Sequence, residues 1–530
     1  MSINKRDLQY PALAFLFVLV AFMLSIAVRL ETFTQVTGAQ GLEATYHVLW
    51  TARALEQSSF ESHYFLPTVT MNPELGSPFS WGATVETIGG SHVYTSFPPI
   101  GFLLPHFLFS WWSGGVGFLI LALFNSLIGL LTAFVMGGLA RAVTRWIRGD
   151  ATVCPRTEWT VFTLVSITYL FLRESLVSHG SVYWPHSLAQ LPLILGSWMA
   201  FRLLLGHRDI PTILALLLAS FIYPSLEWTG FVFGFGVSLA LFLDWFIRRR
   251  NQIPGTFVGD GSLAVASLAL LATTLSGVLL IVHFAIAIGI GNLLSALASR
   301  ASARSFHYGA ALEIIPSYVT SFGALVPIAI LATVQIWRKG TLPLPNFRPI
   351  YFLMFVVSFP MLENLIMLQH ANQFSFDRLK LSVPLILLVT IFFVQMKDRA
   401  KPIYILGTLY FVISSNLQIF SHDSLYYKRW GLTVFANNQL VSDFAADTKS
   451  DCILLGSPSQ VRGYLNLMFD SDIIEFTSFE ELLTLVDNND RFCGTALIST
   501  QHEFSDLPII LRIEVLDEAG NEYRIFDATY

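Results

Sequence analysis

Apolar residues in this chain gather into long runs separated by short polar segments. A helix needs about 20 mostly apolar residues to cross the hydrocarbon core of a bilayer, and runs of about that length recur along the first four fifths of the sequence. They lie near 10–28, 116–140, 157–173, 185–205, 210–226, 229–247, 262–288, 312–336, 350–369, 381–396 and 402–420. The pattern predicts a polytopic α-helical membrane protein with about 11 spans.

A further apolar segment, 98–113, is interrupted by Pro98, Pro99 and Pro105. Prolines remove backbone donors and break a helix, which is costly in lipid. A crossing at this segment would also invert the sidedness of every later loop. We therefore expect a helix that lies in the outer membrane interface and does not cross the bilayer.

The composition agrees with a membrane protein and excludes several other classes. The chain is 54% hydrophobic and only 13% charged, against about 25% charged residues in soluble globular proteins. This excludes a disordered chain and a single soluble domain. A net charge of −5 without a long basic run argues against a nucleic-acid-binding protein, and three cysteines exclude a disulfide scaffold.

The distribution of cations predicts the orientation. With the N-terminus in the cytoplasm, the cytoplasmic segments of the body hold 17 of its 24 Lys and Arg residues and the opposite face holds 7. Cytoplasmic loops carry such an excess of Lys and Arg. An odd number of crossings then places the C-terminus outside. This N-in, C-out topology fits a bacterial inner membrane, and the absence of obvious outer-face glycosylation sequons favours that location over the endoplasmic reticulum.

The composition changes at about residue 420. Residues 421–530 hold 7 Lys and Arg against 18 Asp and Glu, whereas residues 1–420 are weakly basic. Short apolar runs alternate with amphipathic stretches in this tail, and 511–528 resembles a hairpin with its turn at 518–521. We predict a transmembrane body, 1–420, and a small extracytoplasmic soluble α/β domain, 421–530. Cys452 and Cys493 lie in that domain, as a disulfide or as two buried thiols.

Ionisable residues collect on the predicted outer face. Its first loop, 29–97, is the largest in the body, and it is followed by FLRESLVSHGSVYWPHS, YPSLEWTG, 289–311 and LENLIMLQHANQFSFDRLK. Glu227 lies in a very short turn and Glu363 about two helical turns inside an apolar run, and acids so close to spans point to a function. The motifs HExxH, GxSxG, GxGxxG and the Walker loop are absent. The pattern favours a transfer reaction at the outer surface with a lipid-anchored substrate. Such a reaction needs a carboxylate for an acceptor hydroxyl and cations for a phosphate.

Two segments of the first outer loop carry a resemblance. EATYHVLWTARAL (43–55) and YTSFPPIGFLLPHFLF (94–109) resemble the corresponding loop of the GT-C membrane glycosyltransferases, which include protein O-mannosyltransferases, aminoarabinose transferases and rhizobial lipopolysaccharide-core transferases. The resemblance extends as architecture over about 1–420. It implies a sugar donor carried on polyprenyl phosphate and transfer with inversion on the non-cytoplasmic side. We expect the acceptor to be an envelope glycan, lipid or protein.

The resemblance also implies roles for individual residues. Glu43 stands where the second member of the family's acidic pair stands, but Leu42 replaces the first, so either Glu43 or Glu31 is the catalytic base. Phe97 stands where relatives often have His or Lys before Pro-Pro, which moves the donor-phosphate contact to other cations. These are Arg300, Arg304, Arg378 and Lys380. Glu174, with Glu43, either orients the acceptor or holds a divalent cation such as Mg or Mn.

A third set of outer residues is expected to bind the sugar or the acceptor. It comprises His47, Tyr94, His179, His186, Glu227, Trp228, Glu363 and His370. Two other functions stay open from the sequence. One is a transporter or flippase of a lipid-linked glycan, with Glu227 and Glu363 as coupling acids, and the other is a non-catalytic scaffold for envelope assembly.

Overall fold

The chain is mostly helical, with two small β-sheets. The computed structural model describes residues 5–34, 42–70, 83–109, 117–149, 154–250, 261–303, 308–339, 344–396, 401–446, 453–456, 473–475, 484, 492–499, 511–516 and 522–527. These residues form two compact units. One consists of 1–34, 119–282 and 301–423, and the other of 35–118, 283–300 and 424–530. We call them the body unit and the loop unit and describe each by itself.

Twenty helices are present in the described residues. In chain order they are α1 (Lys5–Thr34), α2 (Leu42–Gln57), α3 (Phe60–His63), α4 (Ile100–Phe109), α5 (Phe118–Arg148), α6 (Pro155–Leu170), α7 (Arg173–Ser178), α8 (Pro185–Leu204), α9 (Ile210–Leu226), α10 (Thr229–Arg250), α11 (Gly261–Ile288), α12 (Ile290–Ala303), α13 (Tyr308–Phe322), α14 (Leu325–Lys339), α15 (Leu344–Ser358), α16 (Met361–Ile366), α17 (Leu368–Gln373), α18 (Ser375–Arg378), α19 (Ser382–Gln395) and α20 (Lys401–Ala446). A 3-10 turn, Leu379–Leu381, joins α18 to α19.

Several helices begin where the local sequence predicts a start. α6 and α8 open with proline at the first helical position, where its missing N–H costs nothing. α9 is capped by Asp209, whose Oδ1 accepts hydrogen bonds from the backbone N–H and the hydroxyl of Thr212. α10 ends in three arginines, which favour the negative end of the helix dipole.

Among the described residues, six helices are long and apolar enough to cross a membrane, or seven if one bent pair counts as a span. The six are Gln9–Phe33, Phe118–Arg148, Pro185–Leu204, Thr229–Arg250, Gly261–Ile288 and Pro402–Leu425. This confirms the predicted polytopic helical membrane protein. The count of about 11 spans and the N-in, C-out orientation stay predictions.

The segment predicted as a span over 312–336 is not one continuous helix. The chain breaks between α13 and α14, which are bent by 100° relative to each other. Gly323 adopts a positive φ of +51° at this break, which a glycine accepts without strain. The side chain of Ser415 on α20 packs against this glycine and leaves no space for a larger residue. An ideal Cβ at position 323 would lie 2.6 Å from Ser415 Oγ. The bent pair is either a broken span or a re-entrant loop.

The prediction of a span over 350–369 is wrong at its C-terminal end. α15 ends at Ser358, and two short helices, α16 and α17, follow. Pro360 explains the break, since proline has no N–H to continue the helix and restricts the residue before it. Glu363 therefore lies in α16, beyond the break, and not two turns inside a continuous helix.

The loop unit contains both sheets. β1 (Thr84–Glu86) and β2 (His92–Tyr94) pair antiparallel in the segment predicted to be the first outer loop. Five tail strands form the second sheet in the order β4 (Ile473–Glu475), β3 (Ile453–Gly456), β5 (Phe492–Ser499), β7 (Glu522–Asp527) and β6 (Leu511–Leu516). β3 is parallel to β4 and β5, and β6 and β7 pair antiparallel as the predicted hairpin. The predicted helices between these strands, the hairpin turn and Cys452 lie outside the described residues.

The predicted domain boundary at residue 420 falls inside a helix. α20 continues from Lys401 to Ala446, and the division between the two units falls after Asp423. The segment 98–113 forms the helix α4 over its residues 100–109, and its position in the membrane interface stays a prediction. The division into a body, 1–420, and an extracytoplasmic domain, 421–530, likewise stays a prediction.

Close packing of α10 on α11 gives a stability prediction. An ideal Cβ on Gly234 would lie 2.0 Å from Thr273 Oγ1, so α10 approaches α11 through this glycine. We expect Gly234→Ala to lower the free energy of unfolding by about 1–3 kcal/mol, read as a lower thermal midpoint in detergent. Gly407→Ala on α20 is the matched control, because no heavy atom lies within 4 Å of its Cβ position. Equal midpoints for the two variants would contradict the close contact.

Candidate functional site

A buried network of charges lies in the body unit, at the ends of several helices. Glu174, in the first turn of α7, has no exposed surface and accepts hydrogen bonds through Oε1 from Arg173 Nη1 at 2.9 Å and from Arg378 Nε at 3.1 Å. Arg378 also donates to the carbonyls of Ala371 and Asn372. Arg173 pairs in addition with Asp423 on α20, at 2.6 Å. Two guanidinium groups thus share one fully buried carboxylate.

A second group of charges adjoins the first through consecutive residues Asp377 and Arg378. His186, in the first turn of α8, contacts Asp377 through Nε2, and the same atom lies 3.2 Å from Glu227 Oε1. Lys380 Nζ lies 2.5 Å from Glu363 Oε2 and 3.6 Å from Glu227 Oε1. Burial lowers the pKa of Lys380, but the carboxylates of Glu363, Glu227 and Asp377 outweigh burial and raise it above its ordinary value. Lys380 is therefore an ammonium group among three acids. We call the two groups together the buried charge network.

Hydrogen bonds from side chains to backbone carbonyls hold the loop between α7 and α8 in place. Asn125 on α5 donates through Nδ2 to the carbonyls of Ser178, Gly180 and Val182, at 2.8, 3.0 and 3.1 Å. Arg29, near the end of α1, donates through Nη1 to the carbonyl of His179. Because side chains of α1 and α5 fix this loop, they also fix the start of α8, where His186 lies beside Glu227 and Asp377.

His179 lies in that loop, and its environment predicts an acid-sensitive contribution to stability. Its Nε2 is 2.9 Å from the hydroxyl of Tyr169. Burial, with a smaller effect of the positive charge of Arg29, lowers the pKa of His179 to about 3. The unfolded chain takes up this proton at about pH 6.5, so the free energy of unfolding falls as the pH drops below that value, by up to about 1.4 kcal/mol per pH unit.

We expect His179→Gln to remove this part of the acid sensitivity. The thermal midpoints of the native protein and of the variant, measured in detergent between about pH 7 and about pH 5, should converge as the pH falls. Midpoint curves that stay parallel over this range would contradict a neutral, buried His179.

A third group of predicted residues meets in the loop unit. Arg300 Nη2 donates to the Tyr94 hydroxyl at 3.1 Å, and the guanidinium carbon lies 5.8 Å from the centre of the Tyr94 ring. Tyr94 stacks on Phe97 at 6.2 Å and meets the buried His47 ring edge-on at 5.1 Å. Arg300, a cation distant in sequence, therefore packs on the segment that contains Tyr94 and Phe97. We call this group the Tyr94 cluster.

The structure thus places most of the predicted site residues in two groups, one within each unit. The buried charge network contains Glu174, His186, Glu227, Glu363, Arg378 and Lys380, and the Tyr94 cluster contains His47, Tyr94 and Arg300. Glu31 is an exposed residue of α1, and Trp228 stacks on Phe231, at 5.8 Å, beside Glu227. Arg304 and the side chains of Glu43 and His370 lie outside the described residues.

Three members of the buried charge network had no role assigned from the sequence. They are Arg173, Asp377 and Asp423. Asp377 and Arg173 directly precede Arg378 and Glu174, which were predicted, so adjacency in sequence was an available signal for both. Asp423 is 250 residues from its partner Arg173, and no local pattern identifies it.

The comparisons with known proteins agree with the predicted resemblance. No family model matches the sequence, and no curated protein matches it. The structure matches ArnT from Cupriavidus metallidurans, solved with bound undecaprenyl phosphate, with a TM-score of 0.56 and 12% identity over 99% of this chain and 98% of ArnT. It also matches the oligosaccharyltransferase AglB from Archaeoglobus fulgidus, solved with an inhibitory peptide and a dolichol-phosphate, with a TM-score of 0.54 and 12% identity over 92% of this chain and 69% of AglB. The chain therefore has the fold of the GT-C membrane glycosyltransferases.

Proposed function

We propose that this protein is an integral-membrane glycosyltransferase. It transfers a sugar from a polyprenyl-phosphate donor to an envelope glycan, lipid or protein on the non-cytoplasmic face of the membrane, with inversion. One observation carries the proposal, namely that nearly the whole chain shares its fold with ArnT, which was solved with bound undecaprenyl phosphate. The collection of carboxylates, imidazoles and cations on the predicted outer face supports it.

The transfer is a single displacement at the anomeric carbon. The acceptor oxygen forms a bond to that carbon while the bond to the phosphate oxygen breaks, and the transition state resembles an oxocarbenium ion. The acceptor hydroxyl loses its proton to a carboxylate. We assign this role to Glu43, which stands in the acidic position of the first outer loop, and Glu31 is the alternative base.

The departing phosphate keeps the electron pair of the broken bond, so cations stabilise it and no acid is required. Arg300 is the best placed of the proposed contacts, because it packs on the segment in which Phe97 replaces a cation or imidazole. Arg378 and Lys380 already contact the carboxylates of Glu174 and Glu363. A phosphate would therefore compete with these two carboxylates for the cations. We assign Arg378 and Lys380 instead to neutralising the acids of the buried charge network. Arg304 stays a further candidate.

The proposed metal role of Glu43 and Glu174 has limited support in the described part of the chain. There, no group of three or more His, Cys, Asp or Glu residues is arranged to hold an ion. Oε1 of Glu174 already accepts from two guanidinium groups, whereas Oε2 is buried and has no hydrogen-bond partner among the described residues. Glu174 alone thus offers one free carboxylate oxygen, whereas Mg²⁺ and Mn²⁺ need several oxygen ligands, and the side chain of Glu43 lies outside the described residues.

The sidedness of an accumulated intermediate separates transfer from transport. A strain that lacks a transferase should accumulate the lipid-linked sugar donor in the outer leaflet, where membrane-impermeant periodate oxidises it in intact spheroplasts. A strain that lacks a flippase should accumulate the lipid-linked glycan in the inner leaflet, where periodate cannot reach it. A non-catalytic scaffold should accumulate neither.

Four variants, expressed in the deletion strain at equal membrane abundance, sharpen this test. The proposal predicts that Glu43→Gln or Glu31→Gln leaves the donor accumulated in the outer leaflet. A carrier should tolerate both changes and fail with Glu227→Gln or Glu363→Gln, with the lipid-linked glycan protected from periodate. Protected accumulation in the deletion strain would overturn the proposed transfer.

A further inference from the structure

A cavity of about 650 Å³ opens in the body unit between α1, α5, α6 and α8. It lies at the helix ends that the excess of Lys and Arg assigns to the cytoplasm, whereas the residues proposed for transfer lie on the predicted outer face. Three arginines line the cavity, Arg141, Arg145 and Arg202. No part of the proposed glycosyl transfer uses these residues, so their arrangement calls for a separate explanation.

The cavity has more positive than negative charge. Arg141 and Arg145 each pair through Nε with one oxygen of Glu158, both at 2.8 Å, so one buried carboxylate faces two guanidinium groups. Arg202 pairs through Nη2 with Asp209, and this pair is more than one third exposed. The Nε of Arg202 is buried and has no hydrogen-bond partner among the described residues. A buried charged donor without a partner is costly, and an anion in the cavity would satisfy it.

Aromatic side chains form the remaining wall. The guanidinium of Arg141 lies 4.0 Å from the centre of the Trp159 ring, and Phe162 and Phe15 pack against that tryptophan. Phe15 is 41% exposed on α1, a helix whose apolar window is only 28% buried. The cavity therefore joins a cationic floor to an aromatic surface that continues onto the exposed side of an apolar helix. Tryptophan favours the boundary between headgroups and acyl chains.

We propose that this cavity binds an anionic phospholipid of the cytoplasmic leaflet. The lipid phosphate lies among Arg141, Arg145 and Arg202, and its glycerol and acyl carbons contact Trp159 and Phe15. Basic pockets between transmembrane helices on the cytoplasmic side bind anionic headgroups in this way. The aromatic wall favours a lipid over free phosphate, because only a lipid has apolar groups to place against it.

Lipid binding by the full-length protein in detergent, measured by native mass spectrometry, tests this proposal. Phosphatidylglycerol is the probe, phosphatidylcholine is the zwitterionic comparison, and glycerol 3-phosphate represents the free headgroup. We expect the native protein to retain phosphatidylglycerol more tightly than either of the others. The double variant Arg145→Gln, Arg202→Gln should bind phosphatidylglycerol roughly 30-fold more weakly, at about 1 kcal/mol for each lost arginine.

Two further variants separate this site from general charge attraction and from misfolding. The double variant Arg249→Gln, Arg250→Gln removes two cytoplasmic arginines from the end of α10, outside the cavity lining, and should bind phosphatidylglycerol as the native protein does. Ala142→Phe keeps every charge but fills the cavity, and it should weaken binding to a similar extent as the arginine variant. Native affinity in both cavity variants, or equal binding of glycerol 3-phosphate and phosphatidylglycerol, would overturn the proposal.

Discussion

Replacing Lys380 by methionine is expected to lower the free energy of unfolding by about 3–5 kcal/mol. The lysine side chain is 2% exposed and lies between Glu363 and Glu227. Without its ammonium group, the buried carboxylates of Glu227 and Asp377 and the partly buried carboxylate of Glu363 lose their shared cation. Methionine fills a similar volume, so the expected loss comes from charge and not from a cavity. The thermal midpoint of the purified protein in detergent measures it.

A double-mutant cycle identifies the cause of this loss. Glu363→Gln removes one of the facing acids, and in the Lys380→Met background it should restore part of the lost midpoint, with a coupling energy of about 0.5–3 kcal/mol. Arg249→Met on the last turn of α10 is the control for loss of one cation outside the network. Additive effects of the changes at Lys380 and Glu363 would contradict a direct interaction between the two side chains.

The second large effect is expected at Glu174. Glu174→Gln keeps the shape of the side chain but leaves Arg378 buried with only carbonyl partners, and Arg173 with Asp423. We expect the rate of glycosyl transfer to fall by about 100-fold or more, since preorganised charge at a reacting site contributes effects of that size. Product formed by variants at equal membrane abundance, followed by mass spectrometry of envelope extracts, measures the fall.

Asp423→Asn is the matched control for Glu174→Gln. Asp423 belongs to the same network and also pairs with Arg173, but its side chain is 29% exposed. Because Asp423 is partly exposed and Glu174 is fully buried, Asp423→Asn should lower the thermal midpoint less than Glu174→Gln does and leave transfer nearly unchanged. Product at the native level in Glu174→Gln, or equal losses in the two variants, would contradict a special role for the buried carboxylate.

The helical membrane architecture was predictable from hydropathy, whereas the two helix breaks were missed. The run 312–336 reads as continuously apolar, because glycine changes the mean hydropathy very little and Gly323 gives no signal of a break. The bend at Gly323 depends on α20, which packs beside it. Pro360 inside 350–369 is a sequence signal for the end of a helix. A prediction by hydropathy alone ignores this signal and therefore placed Glu363 too deep in a helix. Local patterns thus determine which segments are helical, while tertiary contacts determine where some of them bend.

The residue types of the site were predictable from the sequence, but their pairing was not. An acid near a span indicates a function because burial of a lone charge is costly, and this reasoning identified Glu227 and Glu363. It could not pair Glu174 with Arg378, 204 residues later, or Arg300 with Tyr94, 206 residues earlier. Of the four cations expected to contact the donor phosphate, Arg300 belongs to the loop unit and Arg378 and Lys380 belong to the body unit.

The most direct test of the proposed transfer is a mass spectrum of envelope glycolipids and glycans from four strains. These are a deletion strain and the same strain carrying the native gene, Glu43→Gln or Glu31→Gln, each at equal membrane abundance. We predict that one sugar increment disappears in the deletion strain, returns with the native gene, and stays absent with Glu43→Gln. Return of the increment with Glu43→Gln but not with Glu31→Gln would identify Glu31, and not Glu43, as the catalytic base. Identical spectra for the deletion strain and for the deletion strain carrying the native gene would contradict the glycosyltransferase function.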